Sequence, residues 1–335
     1  MPAQPLTFVV GSGRCGSTAL SQVLRQHPQI LSLSELFASL EPFPLREGTL
    51  TGEEFRRFIE EPRPFTLSVM RHGFWAKLPE DSEVRQALGN EMPVVEAIAA
   101  TVLPHLTDDP ASLLAELRPE LDVRPSGSIA DHYRGLFELL GRRLGTRVVV
   151  ERSGYSLRLV PRLLELFPEA RFVHLYRNGL DTALSMSRYP VFQAFRFLIE
   201  RAAEAGRGGP DALSVEIDEM FRDGEVDVRP ILDAQVPLAE YGRLWSETII
   251  DGLAYLDDVP ESRLISVAFE DLLDQPELEL KRLAAHVGVD PLAEWLEAGR
   301  AELDSNRRGA ARALAVEDLT ALEESCAPGM RALGL

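Results

Sequence analysis

The sequence predicts an α/β fold: a P-loop-like three-layer sandwich with a central parallel sheet, helices on both faces and a largely helical insertion. Three observations predict it. Short apolar runs alternate with segments of helical spacing, which is how a parallel sheet covered on both sides reads. The first apolar run passes straight into a glycine-rich turn and then a helical segment. The chain, 335 residues of which 45% are hydrophobic, is long enough to bury a full core.

In order, "LTFVV" at residues 6–10 is a short apolar run bounded by a glycine turn, the signature of a buried strand. "STALSQVLRQHP" has helical spacing and stops at Pro28. A short second strand precedes Glu35. Residues 40–131 are proline-rich, with short amphipathic pieces, and read as helices and loops of an insertion. "YRGLFELLGRRLG" is a helix ended by Gly145, and "TRVVVE" is a further buried strand. "SLRLVPRLLELFP" is helical and "ARFVHLYR" is a strand. The next helix, "DTALSMSRY", takes Asp181 as its N-cap. Residues 200–230 are polar, acidic and glycine-containing, and read as a mobile excursion. "LAEYGRLWSETIIDGLAYL" is a long amphipathic helix, "RLISVAFEDLL" a strand running into a helix, and the chain from Pro276 on is mostly helical. The expectation is one domain over 1–335, with insertions at about 40–131 and 190–235 covering a substrate pocket.

Composition narrows the function. Lys plus Arg is 35 and Asp plus Glu is 53, a net charge of −18. So acidic a chain is repelled by nucleic acid and by anionic membrane surfaces. An anion must be bound by a few cations placed locally against the overall field. Cys15 and Cys326 are far apart and give neither a disulfide framework nor a metal cluster. No stretch approaches the roughly 20 apolar residues of a membrane helix, and the start lacks a signal pattern, so a cytoplasmic location is expected.

"GSGRCGST" at residues 11–18 nearly matches the phosphate-binding pattern G-x-x-x-x-G-K-[ST], with Gly11, Gly16 and Thr18 in place. Ser17 stands where the lysine belongs, and the nearest cation is Arg14. The backbone logic survives, because small residues let N–H groups point at an anion on a helix N-terminus. The lysine that reaches the outer phosphates of a triphosphate is gone, and no apolar strand ending in a Mg²⁺-holding Asp stands out. Alone, such a turn could be a structural link between strand and helix. "FVHLYRNGLDTALSM" adds Arg177 at a strand end and Ser185 eight residues on, able to reach a second phosphate from the same sheet edge. Two phosphate sites suggest a nucleotide phosphorylated at two separate places.

These two motifs resemble those of the sulfotransferase family, which uses PAPS (3′-phosphoadenosine 5′-phosphosulfate) and releases PAP. The resemblance covers residues 6–35, 147–189 and 241–289, including "ERSGYSLRLVPRLLELFPEARFVHL" and "ISVAFEDLLDQPELELKRLAAHVGV". It implies that Arg14 contacts the 5′-phosphosulfate and the bridging oxygen. Gly13, Cys15, Gly16, Ser17 and Thr18 complete that loop, and Arg177 and Ser185 bind the 3′-phosphate. A late loop adds a further cationic contact, for which "DSNRRGAARA" offers Ser305, Arg307 and Arg308. The cytosolic branch stacks adenine on a tryptophan where this chain has Ala19. Tyr241 and Trp245 are alternatives, although core packing explains both as well.

For the base, Glu35 lies 21 residues after Arg14, the approximate offset of the glutamate that serves in the tyrosylprotein and some bacterial branches. His72 and His132 are rivals, since the cytosolic branch uses a histidine; each could equally be structural. His27 reads as the end of the first helix and His174 as core. Arg152, at a strand end where the family often has lysine, reads as shaping the acceptor pocket. Sulfuryl transfer is close to phosphoryl transfer, needing positioned donors on the leaving oxygen and a base on the attacking hydroxyl. The expected enzyme takes no metal and acts on a hydroxyl of a small molecule, lipid, sugar or carrier-tethered acyl chain. The competing readings are an atypical P-loop kinase, disfavoured by the missing lysine, and a non-catalytic nucleotide-binding module.

Overall fold

The structure, a computed structural model, describes residues 5–74, 96–303 and 308–335. Five parallel strands form the central sheet: β1 (Leu6–Val10), β2 (Ile30–Ser34), β3 (Val148–Arg152), β4 (Arg171–Tyr176) and β5 (Leu264–Ala268). Their order is β2-β3-β1-β4-β5. β1 lies in the middle, with Leu6 opposite Val149 of β3 and Val10 opposite His174 of β4. Its five residues are all buried, which is why it reads as an unbroken apolar run. Successive side chains take opposite faces. Phe8 and Val10 enter one core with Leu31, Leu33 and Phe172, and Val9 enters the other with Val150, Val173 and Val267.

The helices that matter to the site are α1 (Ser17–Arg25), α2 (Ile129–Leu144), α3 (Gly179–Ser187), α4 (Pro190–Glu204), α5 (Leu238–Leu256), α6 (Pro276–Val287) and α7 (Val316–Ala332). Ser128 and Asp131 cap the start of α2 reciprocally, and Gly145 at φ 71° ends it. The chain runs from β1 to one side of the sheet and returns, through β3, to β4 on the other. The turn after β1 therefore opens where the strand order reverses, the place where such sheets bind ligands.

Two expectations change. Asn178, not Asp181, caps α3: its Oδ1 accepts from the N–H groups of Leu180 and Asp181 at 3.0 and 3.4 Å. Asp181 falls inside the first turn, with its carboxylate turned elsewhere. The expected mobile excursion at 200–230 holds a packed helix between loops. Its helix Ala212–Phe221 buries Leu213, Ile217 and Phe221, and the buried carboxylate of Glu216 pairs with Arg201 and Arg207. An apolar stripe at a spacing of four lay beneath the polar composition.

Residues 40–131 hold the helices Gly52–Glu60, Pro64–Val69 and Pro110–Asp122. A two-stranded antiparallel pair, Thr49–Leu50 with Gly127–Ser128, joins their two ends. Among the described residues, no helix is long and apolar enough to cross a membrane.

Candidate functional site

The loop after β1 is shaped by backbone that only particular residues adopt. Gly13 and Gly16 have φ of 76° and 91°, and Arg14 between them has φ 56°. A Cβ on Gly16 would lie 2.1 Å from the Phe269 ring, and one on Gly13 would lie 2.5 Å from Phe192. The glycines are thus required twice, for conformation and for space. Gly16 then starts α1, whose N-terminus has no side-chain cap and no acidic residue in its first turn. The start of α1, with no side chain capping its N–H groups, and the positive end of the helix dipole therefore lie at the cavity that Gly16, Ser17 and Thr18 line.

That cavity, of about 550 Å³, also takes in Arg14, Glu35, Arg177 and Ser185. The two sequence motifs meet directly: the Arg14 Nε–H donates to Ser185 Oγ at 3.0 Å. The Arg14 guanidinium also lies 4.5 Å from the centre of the Tyr189 ring. Arg177 lies over Phe269 at 5.4 Å, with its Nη2 3.3 Å from Asp181 Oδ2. Asp181 is almost fully buried, and its two oxygens accept from the backbone N–H groups of Gly309 and Ala311 at 2.6 and 3.0 Å. It joins the start of α3 to the chain that leads into α7.

Glu35 follows β2 at φ 60°. A non-glycine residue there is strained by about 1–3 kcal/mol and must be held by its surroundings. Its backbone N–H donates to the Arg152 carbonyl at 2.7 Å. Its Oε2 accepts from the Gly154 N–H at 2.8 Å, and its Oε1 is ion-paired with the buried guanidinium of Arg152. Arg152 thus acts on the cavity through Glu35. Behind them, Ser153 Oγ accepts from the N–H groups of Phe37 and Ala38 and donates to the buried Glu151. Burial, with the nearby Glu35 charge adding to it, pushes the Glu151 carboxyl up to about 8.

Other sequence candidates lie elsewhere. His132 is buried, stacked on Phe55 at 5.0 Å, and its Nε2 is 2.7 Å from the Leu50 carbonyl. His72 faces Asp227 at 3.9 Å. Neither lines the cavity. Tyr241 and Trp245 are core residues of α5, with Trp245 packed against Gly179 and Gly329, and they do not reach the site. The Cys15 thiol turns inward against Gly11, and burial raises its pKa. Arg308 pairs with Asp274 at 2.6 Å and does not line the cavity; Ser305 and Arg307 lie outside the described residues. His27 bonds the Asp290 carbonyl at the end of α1, and His174 is buried in β4. The sequence reading missed Asp181 as an anchor and the aromatic wall of Phe65, Tyr155, Tyr189, Phe192, Phe195 and Phe269. Positive φ was a hidden signal: among the described residues, the non-glycine positions that have it are Arg14, Glu35, Phe43 and Tyr155, and three of these line the cavity.

A family model described as "Sulfotransferase family" matches residues 5–206. No curated protein matches. Among solved structures, the chain is similar to the sulfotransferase domain of the Synechococcus PCC 7002 olefin synthase, with 17% identity, 96% of this chain and 94% of that one covered, and a TM-score of 0.49. The sulfotransferase domain from the curacin biosynthetic pathway gives 16%, 99%, 98% and 0.49 for the same measures. A sulfotransferase from Alicyclobacillus acidocaldarius gives 17%, 99%, 94% and 0.42.

Proposed function

The chain belongs to the sulfotransferase family, and from that premise we propose that it transfers a sulfuryl group from PAPS to an uncharged hydroxyl acceptor, with Glu35 as the base. The observation that carries this reading is the meeting of Arg14, Arg177, Ser185 and Glu35 in one cavity. The residues present fit such a donor. The uncapped, acid-free start of α1 with Ser17, Thr18 and Arg14 suits one phosphate-like group, and Arg177 with Ser185 suits another. PAPS, when bound, supplies the activated sulfuryl group and a phosphate leaving group.

The chain's own residues do the rest. Arg14 and the first N–H groups of α1 stabilise the charge that grows on the leaving oxygen. Glu35, fixed by Gly154 and Arg152, takes the proton of the attacking hydroxyl. Arg177 and Ser185 hold the ligand's far end, so that the reacting groups are already aligned. The aromatic wall excludes water from the hydroxyl's approach.

The test is transfer itself. Incubated with PAPS and a panel of hydroxyl compounds, the protein should add one sulfonate to an acceptor by mass spectrometry and release PAP. With ATP and Mg²⁺ it should add no phosphate; phosphorylation in place of sulfonation would overturn the reading.

A further inference from the structure

Glu35 sits at the N-cap position of the short helix Leu36–Ser39, where its side chain makes no cap. A helix start leaves its first N–H groups open, and the N-cap side chain ordinarily bonds that of the second or third helical residue. Here those residues are Phe37 and Ala38. Their N–H groups donate instead to Ser153 Oγ, at 3.0 and 3.3 Å, just past the end of β3. The Glu35 carboxylate is thereby released from the helix it precedes, and Glu35 lines the cavity.

The hydroxyl that caps this helix is fully used. It can donate once and accept twice. It accepts from Phe37 and Ala38 and donates to Glu151 Oε1 at 2.6 Å. Glu151 lies in β3 opposite Leu33 of β2 and Phe8 of β1, on a strand paired along both edges. Ser153 and Glu151 are both buried, and neither lines the cavity. The residues on either side of Ser153 grip Glu35 directly: the Arg152 carbonyl accepts its N–H, the Arg152 guanidinium pairs with its Oε1, and the Gly154 N–H donates to its Oε2. Ser153 fixes the residues that follow Glu35. At φ 60°, Glu35 needs support on both sides.

Resting on the reading of Glu35 as the base, we propose that Ser153 is its positioning residue. Oriented by Glu151, the Ser153 hydroxyl caps the helix after Glu35 from another segment of the chain. It holds Glu35 in its strained conformation and keeps the carboxylate aimed at the attacking hydroxyl. Ser153 acts through Glu35 alone, from outside the cavity.

Ser153→Ala tests this, with Ser246→Ala as the control. Ser246 is equally buried, and its hydroxyl donates to the Ser325 carbonyl at 2.8 Å and accepts from the Gly329 N–H at 3.2 Å. Its loss reports what a missing buried hydroxyl costs the fold. The first measurement is amide hydrogen exchange by NMR at Gly154, whose N–H bonds Glu35 and not Ser153. Exchange there should be roughly tenfold or more faster in Ser153→Ala than in Ser246→Ala, the scale of one lost hydrogen bond. The second is turnover with PAPS and the hydroxyl compound of the panel that accepts most sulfonate. In Ser153→Ala, kcat should fall by roughly 10–100-fold, the cost of a misplaced reacting group, with the acceptor KM and PAP affinity unchanged. Equal exchange at Gly154 in the two variants, or a loss that falls on KM or PAP affinity rather than on kcat, would overturn the proposal. Absence of sulfonation by the unaltered protein would overturn the reading of Glu35 as the base; exchange at Gly154 would then still decide, by itself, whether Ser153 holds Glu35 in place.

Discussion

Glu35 is held at both ends, its backbone by the Arg152 carbonyl and its carboxylate by the Gly154 N–H and the Arg152 guanidinium. Its position is therefore set before any ligand arrives, which suits a group that must meet one proton at one place. Glu35→Gln should lower kcat by about 10²–10⁴-fold, the usual worth of a general base, while PAP affinity stays unchanged by calorimetry. Full turnover in that variant would remove Glu35 from the chemistry. Arg177→Ala should weaken PAP binding by roughly 1.5–3 kcal/mol, as for a lost charge-assisted hydrogen bond. The placing of Arg14, Arg177 and Glu35 at the sheet edge was legible in the sequence because Arg14 lies in the glycine turn after a strand-like run and the other two follow directly on one. Tyr241 and Trp245 were not separable from core by pattern alone, since an aromatic on an amphipathic helix reads the same whether it faces a ligand or a neighbouring helix.

At the scale of elements, the junctions carry the site. The turn from β1 to α1 tolerates no side chain at residue 16, where φ is 91° and the Phe269 ring fills the space. Gly16→Ala should abolish tight PAP binding even where circular dichroism shows the fold intact; retained affinity would show that the turn can relax. The start of α3 works differently. Because Asn178 caps the helix, Asp181 is free to hold Gly309 and Ala311 as well as Arg177. Asp181→Ala should cost about 1–3 kcal/mol of stability through the buried N–H groups left unpaired, and should also weaken PAP binding through Arg177. Stability loss in urea with unchanged PAP affinity would confine Asp181 to a structural role. The sequence could not assign this anchor, since its partners lie 128 and 130 residues away. The spacing of the glycine turn, by contrast, is local and was readable next to its strand, whereas the Phe269 and Phe192 rings that close it were not.

For the whole molecule, two buried titratable groups set opposite pH slopes. Burial holds His174 down to about 4. As pH falls from about 6.5 to 4, the unfolded histidine gains a proton that the folded one refuses. Stability is then lost, by about 3 kcal/mol from this group. Glu151 is the reverse case. With its folded pKa raised to about 8 from 4.5, it favours the folded state at low pH and loses that contribution as pH rises towards 8. Between about 4.5 and 6.5 the two oppose each other, and above 6.5 Glu151 acts without His174. Urea unfolding should therefore show stability declining from pH 6.5 to 8, and Glu151→Gln should flatten that decline. An unaltered slope in the variant would assign it to other groups.

The same global view frames the binding problem. A chain of net charge −18 gathers Arg14 and Arg177 at one rim of its sheet, on the two motifs that Arg14 and Ser185 bring into contact. The most direct test is a calorimetric titration with PAP and with ATP, each with and without Mg²⁺. The account predicts tight PAP binding that ignores the metal and poor ATP binding under both conditions. Strong ATP binding that depends on Mg²⁺, with PAP left unbound, would contradict it.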